Sequence, residues 1–187
     1  MKSFFIGISL GFWILGVWPG LDLFAEDAKE VGPKTIILTS PEFREGGSIP
    51  LRHTCDGGNL SPELRWAGAP PGTQSFVILM EDPDAPGGNW VHWILFDLPP
   101  TIDYLPMALP PIQKLANAEW HGTNDFKKLG YGGPCPPKGS SHRYSFRIYA
   151  LDTMLRLSAG ITKKQLEDAM KGHVLAKGEL TGTYQRK

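Results

Sequence analysis

Apolar residues recur along this chain in short runs separated by turn residues. The clearest strand patterns are Thr35 to Leu38, Gln74 to Glu81, Trp90 to Asp97, Arg143 to Leu151 and Val174 to Tyr184, each bounded by Gly, Pro, Asp or Asn. In Gln74 to Glu81, Phe76, Ile78 and Met80 share one face while Val77 and Leu79 share the other. Both faces are apolar, so this strand and Trp90 to Asp97 are expected to be central and covered on each side. Val174 to Tyr184 alternates instead, with Val174, Ala176, Leu180 and Tyr184 inward and Lys177, Glu179, Thr181 and Thr183 outward, which predicts a half-exposed strand.

One segment has helical spacing. Thr162-Lys163-Lys164-Gln165 is a capping-box pattern, followed by Leu166, Ala169 and Met170 on one face and a stop at Gly172. Many short strands and one late helix predict a mainly β fold, a two-sheet antiparallel sandwich with small peripheral helices. Composition agrees: 22 Gly and 17 Pro in 187 residues supply turns, and 41% hydrophobic residues supply a core. The 19 Lys and Arg balance the 19 Asp and Glu. That balance argues against a general nucleic-acid binder or a polybasic membrane-surface protein.

The N-terminus has a different pattern. Lys2 precedes an uncharged apolar stretch from Phe4 to Trp18, then Pro19-Gly20, then Leu23-Phe24-Ala25 before Glu26-Asp27. This is the layout of a secretory signal peptide over residues 1–25, with an uncleaved membrane anchor as the alternative. A short linker over 26–34 and a single domain over 35–187 would follow. With cleavage no transmembrane span is expected, and the protein would be exported, periplasmic or secreted. In that setting Cys55 and Cys135 are a disulfide candidate; two free thiols are the other reading, and spacing does not decide between them.

Chemistry concentrates in three places. Asp82-Pro83-Asp84-Ala85-Pro86 follows a buried strand and sets two carboxylates on a proline-stiffened loop. Trp90-Val91-His92-Trp93 places an imidazole at the start of another apolar strand. Gly130 to Gly139, rich in Gly and Pro, runs into His142-Arg143-Tyr144, and such a loop can turn backbone N–H groups toward an anion. His53, His121 and His173 read as surface or turn residues, and Lys163, Lys164 and Lys171 as a solvated helix face.

In this order, Asp82-Pro-Asp-Ala-Pro86, Trp90-Val-His92-Trp93, Gly133-Pro134-Cys-Pro-Pro-Lys-Gly139 and His142-Arg143-Tyr144 resemble the phosphatidylethanolamine-binding protein family. That family includes the Raf kinase inhibitor proteins and the plant flowering regulators. Cys55-Asp56-Gly57-Gly58-Asn59-Leu60-Ser61-Pro62 with Trp66, and Gly122-Thr-Asn124-Asp125-Phe126 before Gly130-Tyr131, are similar to its bacterial Raf kinase inhibitor-like branch. The resemblance spans about Ile36 to Tyr184 and implies a β-sandwich with a small anion pocket at one end of the central sheet. It implies that Asp82, His92, His142 and Tyr144 line the pocket, while Gly133 and Pro134 supply a wall and backbone donors. The implied ligand is a small anionic or phosphorylated molecule, including a phospholipid head group. Binding without cofactor, metal or turnover is expected, with modulation of a partner enzyme as a family activity.

If the imidazoles donate to phosphoryl oxygens, affinity rises as they protonate, around a reference pKa of about 6.5. The loop departs from the animal pattern, reading Gly-Pro-Cys-Pro-Pro where those proteins resemble Gly-Pro-Pro, and the animal C-terminal helix has no counterpart after Tyr184. Lipid selectivity and kinase binding therefore do not carry over. Two rival readings use the same residues: a hydrolase with Ser140 or Ser141 beside His142 and Asp82, and a metal centre of Asp82, His92 and His142.

Overall fold

The computed structural model describes Met1 and residues 34–116 and 119–187, so the expected signal peptide lies outside the described residues, as does the expected linker except for Lys34. The fold is mainly β. Nine strands, β1 (Lys34–Thr35), β2 (Ile37–Thr39), β3 (Leu64–Ala67), β4 (Ser75–Asp82), β5 (Trp90–Leu98), β6 (Tyr104–Leu105), β7 (Trp120–His121), β8 (Ser141–Leu151) and β9 (Val174–Gln185), and one helix, α1 (Lys163–Met170), follow in chain order among the described residues. The larger sheet has the order β1-β9-β8-β4-β5-β7, and β2-β3-β6 form the smaller one.

The two faces of β4 explain its position. Phe76, Ile78 and Met80 enter the apolar cluster that also holds Ile36, Leu38, Leu64 and Trp66 from the first strands. Val77 and Leu79 enter a second cluster with Ile94, Phe96 and the helix residues Leu166 and Met170. A strand apolar on both sides is thus covered on both sides, as its pattern requires. The helix opens on the expected capping box: Thr162 N–H donates to Gln165 Oε1 at 2.9 Å, and Gln165 N–H donates to Thr162 Oγ1 at 3.4 Å. It ends before Gly172, whose φ of 84° is left-handed.

Three local expectations need correction. The single strand expected over Thr35 to Leu38 divides at Ile36, because Thr35 pairs with Lys177 in the larger sheet while Ile37 pairs with Ala67 in the smaller. The crossing is close: Ile36 N–H donates to Lys177 O at 2.8 Å, and a Cβ on Gly178 would lie 2.1 Å from Ile36 O. Val174 packs in the helix-side cluster instead of beside Ala176, since the β8–β9 register shifts between Ala150 and Leu151. Lys163 is not simply solvated. Its Nζ lies 2.5 Å from Oε1 of buried Glu81, which also receives Asn89 Nδ2 at 2.5 Å, while Arg147 Nη1 reaches Oε2 at 2.5 Å. A carboxylate buried at a sheet-to-helix junction is thereby paired on both oxygens.

Candidate anion-binding site

Antiparallel pairing builds the site. β4 runs against both β5 and β8, so its C-terminal end meets their N-terminal ends, with Asp82 opposite Trp90 and Glu81 opposite Ser145. Asp82 closes β4, His92 stands near the start of β5, and His142 and Tyr144 stand near the start of β8. All four are buried. The loops from Asp82 to Trp90 and from Gly130 to Ser141 close over this end.

Short bonds fix each group. Asp82 Oδ2 accepts from His142 Nδ1 at 2.8 Å, and Oδ1 accepts from Asp84 N–H at 2.9 Å in an Asx turn. Asp84 in turn accepts from Arg143 N–H, Nε and Nη2 at 2.8, 2.9 and 2.7 Å. Those hydrogen bonds from Arg143 hold the Asp84 pKa at about 2. His92 Nδ1 donates to Gly132 O at 2.6 Å, and its ring stands edge-on to Tyr144 and Phe126, both at 5.2 Å. Among the described residues, Tyr144 Oη is buried and has no hydrogen-bond partner within 3.5 Å. Burial first, and the nearby Asp82 carboxylate second, raise its pKa, so the hydroxyl remains a protonated donor.

In front of these residues lies a cleft of about 370 Å³ lined by His92 and His142, with Trp90, Phe126, Cys135 and Arg186 among the other walls. The structure therefore brings both histidines to the cleft and sets Asp82 and Tyr144 behind them. Gly133 lines a neighbouring cleft of about 350 Å³ that shares Phe126 and Cys135, and Pro134 lines neither. The expected backbone donors are corrected: Gly133 N–H already donates to Asn59 Oδ1 at 2.7 Å, and proline has no N–H. This turn shapes the walls without offering a donor. Cys55 and Cys135 are joined as a disulfide, with Cα atoms 5.4 Å apart, placing the bridge in the walls of the second cleft.

The sequence reading missed Arg186, which sits in a polar stretch after β9, and misplaced two histidines. His53 and His121 are fully buried, not surface residues. His53 Nδ1 donates to Leu60 O at 2.9 Å, and His121 Nδ1 accepts from Trp93 Nε1 at 3.2 Å across β5 and β7. His173 is exposed beside Asp152, as expected. The rival chemistries find little geometry. Among the described residues no three His, Cys, Asp or Glu side chains are grouped to hold a metal ion, and neither Ser140 nor Ser141 hydrogen-bonds His142.

Burial also gives the fold a pH dependence. For His53, His92 and His121 desolvation is the largest influence, lowering each pKa below 6.5. The unfolded chain therefore takes up these protons first as pH falls. Their contribution to stability is full above pH 6.5 and is lost on acidification below it. Urea unfolding at about pH 5 should show a lower midpoint than at about pH 7.5, and His121→Gln should make the slope shallower. Equal midpoints for the wild-type protein would refute this account.

The comparisons with known proteins agree with this fold. A sequence model described as "Phosphatidylethanolamine-binding protein" matches residues 39–185. A UPF0098 protein of Methanothermobacter thermautotrophicus is 46% identical over 149 residues, covering 80% of this chain and 98% of the relative. One from Pyrococcus abyssi is 40% identical, covering 83% and 89%. Among solved structures, CT736 of Chlamydia trachomatis, a phosphatidylethanolamine-binding protein homologue, superposes with a TM-score of 0.74 at 38% identity, covering 82% of this chain and 99% of that one. Escherichia coli YbcL, described as a member of the mammalian PEBP family, gives 0.75 at 36% identity, covering 81% and 99%. With the β-sandwich and the ordered motifs, these matches place the chain in the phosphatidylethanolamine-binding protein family.

Proposed function

We propose that this chain is an exported binding protein for a small oxyanion, either a free phosphorylated molecule or the phosphoryl head group of a phospholipid, and that it performs no turnover of its own. The observation that carries the reading is the pair of imidazoles, His92 and His142, facing one small cleft with their Nδ1 atoms already engaged behind it. Each thus presents Nε2 to a ligand. A protonated Nε2 donates to a phosphoryl oxygen, and a neutral one accepts from a ligand hydroxyl. The balanced charge of the chain supports a small ligand held by local geometry over a polyanion. The signal-peptide pattern and the disulfide support export, and no helix among the described residues is long and apolar enough to cross a membrane. Modulation of a partner enzyme belongs to this proposal as a consequence of ligand occupancy.

Calorimetric titration of phosphate and phosphoethanolamine into the wild-type protein, His92→Ala and His142→Ala tests it. His142→Ala should weaken binding on the order of tenfold or more, the scale of one charge-assisted hydrogen bond, and His92→Ala should do the same under acid conditions where its Nε2 carries a proton. Binding unchanged in both variants would remove the cleft from the account.

A further inference from the structure

The imidazoles do not by themselves explain why an anion should stay in this cleft near neutral pH. His92 uses its Nδ1–H on Gly132 O and is held below pKa 6.5 by burial, so its Nε2 is then a lone pair and not a donor. Behind His142 stands the Asp82 carboxylate, which repels an anion. A compensating positive charge is needed.

We infer that Arg186 is the fixed cation of the cleft, and that its guanidinium reads the charge of a bound phosphate or phosphate monoester. The inference rests on the anion-binding reading above and adds the group that carries the charge. Arg186 lines the same cleft as His92 and His142, and it is the one permanently charged side chain among the described residues lining it. Its position is set from several directions. Nε donates to Asp56 at 2.9 Å to Oδ1 and 3.2 Å to Oδ2, and Asp56 also accepts from Tyr184 Oη at 2.8 Å. Asp56 follows Cys55, whose bridge reaches Cys135 in the cleft wall. On the backbone, Gly139 N–H donates to Arg186 O at 2.8 Å, while Gln185 Nε2 donates to Gly139 O at 2.9 Å.

These contacts use Nε and leave the two Nη groups, which have no hydrogen-bond partner among the described residues. The outer edge of a guanidinium presents parallel N–H groups that match two oxygens of a phosphoryl group. Because the side chain is already held, little ordering cost is added on binding. Asp56 positions the cation through its Nε and leaves the outer edge of the guanidinium to the ligand.

The test is calorimetric titration of inorganic phosphate into the intact protein at about pH 7.5 and low salt, comparing wild type, Arg186→Gln and Arg186→Lys. Arg186→Gln should weaken binding about 10- to 100-fold, the range for a hydrogen bond to a charged group. Arg186→Lys should recover part of the loss, since it restores a point charge without the fork. Thermal unfolding should remain near wild type, because the ion pair with Asp56 is solvent-exposed in part. Wild-type affinity should fall as sodium chloride is added. Phosphate bound equally by wild type and Arg186→Gln would overturn the assignment and leave the anion site standing. A wild-type protein that binds no phosphate would overturn both.

Discussion

Reducing the Cys55–Cys135 bridge is expected to lower the free energy of unfolding by about 4.5 kcal/mol. The bridged residues are 80 apart in sequence, and closing a loop of that length removes about this much conformational freedom from the unfolded chain. The folded state has other ties at the same place. Cys55 N–H donates to Pro134 O at 3.1 Å, Gly133 N–H donates to Asn59 Oδ1 at 2.7 Å, and Tyr131 Oη donates to His53 O at 2.8 Å. These bonds survive reduction, so the native loops should hold their places while the unfolded ensemble expands. Against a typical total of about 5–15 kcal/mol, the loss is a large share of the stability. Guanidinium unfolding with and without a phosphine reductant measures it, and the Cys55→Ala, Cys135→Ala double variant should match the reduced protein. A midpoint indifferent to reductant would contradict the prediction.

The same loops show what a sequence can and cannot disclose. β4 was legible because alternation over Phe76 to Met80 is a local pattern, and both of its faces found apolar partners. The helix was legible because Thr162 and Gln165 lie within one turn of each other. β3, β6 and β7 carry four, two and two residues, too few to establish a period. Their ladder partners in the sheets are distant in sequence: β6 pairs with β3, and β7 with β5.

The site divides along the same line. His92, His142, Asp82 and Tyr144 were named by motif resemblance, but the motifs did not show that Asp82 and Tyr144 stand behind the imidazoles. Arg186 had no local signal, since Gln185-Arg186-Lys187 reads as a polar surface stretch. Only the β8–β9 register, with Gln185 opposite Ser141 and His142 opposite Tyr184, brings it to the cleft. His53 and His121 were misjudged for the corresponding reason, because their burial comes from the chain passing over Leu60 and from the β5–β7 pairing.

Gly133→Ala should produce the largest combined loss of stability and binding of any single methyl added to the site. Its φ is not left-handed, so the requirement is for space. A Cβ there would lie 2.3 Å from His53 O, 2.8 Å from Asn59 Oδ1 and 3.0 Å from Thr54 Cα. Two of those atoms are backbone, and the loop cannot simply back away, because Cys135 is bonded to Cys55 two residues further on. Moving His53 O disturbs its bond from Tyr131 Oη, and moving Gly133 lengthens the one to Asn59. It also shifts the adjacent Gly132 carbonyl that orients His92. Overpacking plus the weakening of these hydrogen bonds amounts to about 2–4 kcal/mol. Phosphate affinity should fall at least about tenfold, since the imidazole loses its fixed orientation. Gly87→Ala is the matched control: it lines the cleft, its φ is not left-handed, and its Cβ would have no atom within 4 Å. That substitution should stay within about 0.5 kcal/mol of wild type. Denaturant unfolding and phosphate titration of the two variants separate the outcomes. If Gly133→Ala unfolds and binds like Gly87→Ala, the tight passage of this loop over His53 is not what shapes the cleft.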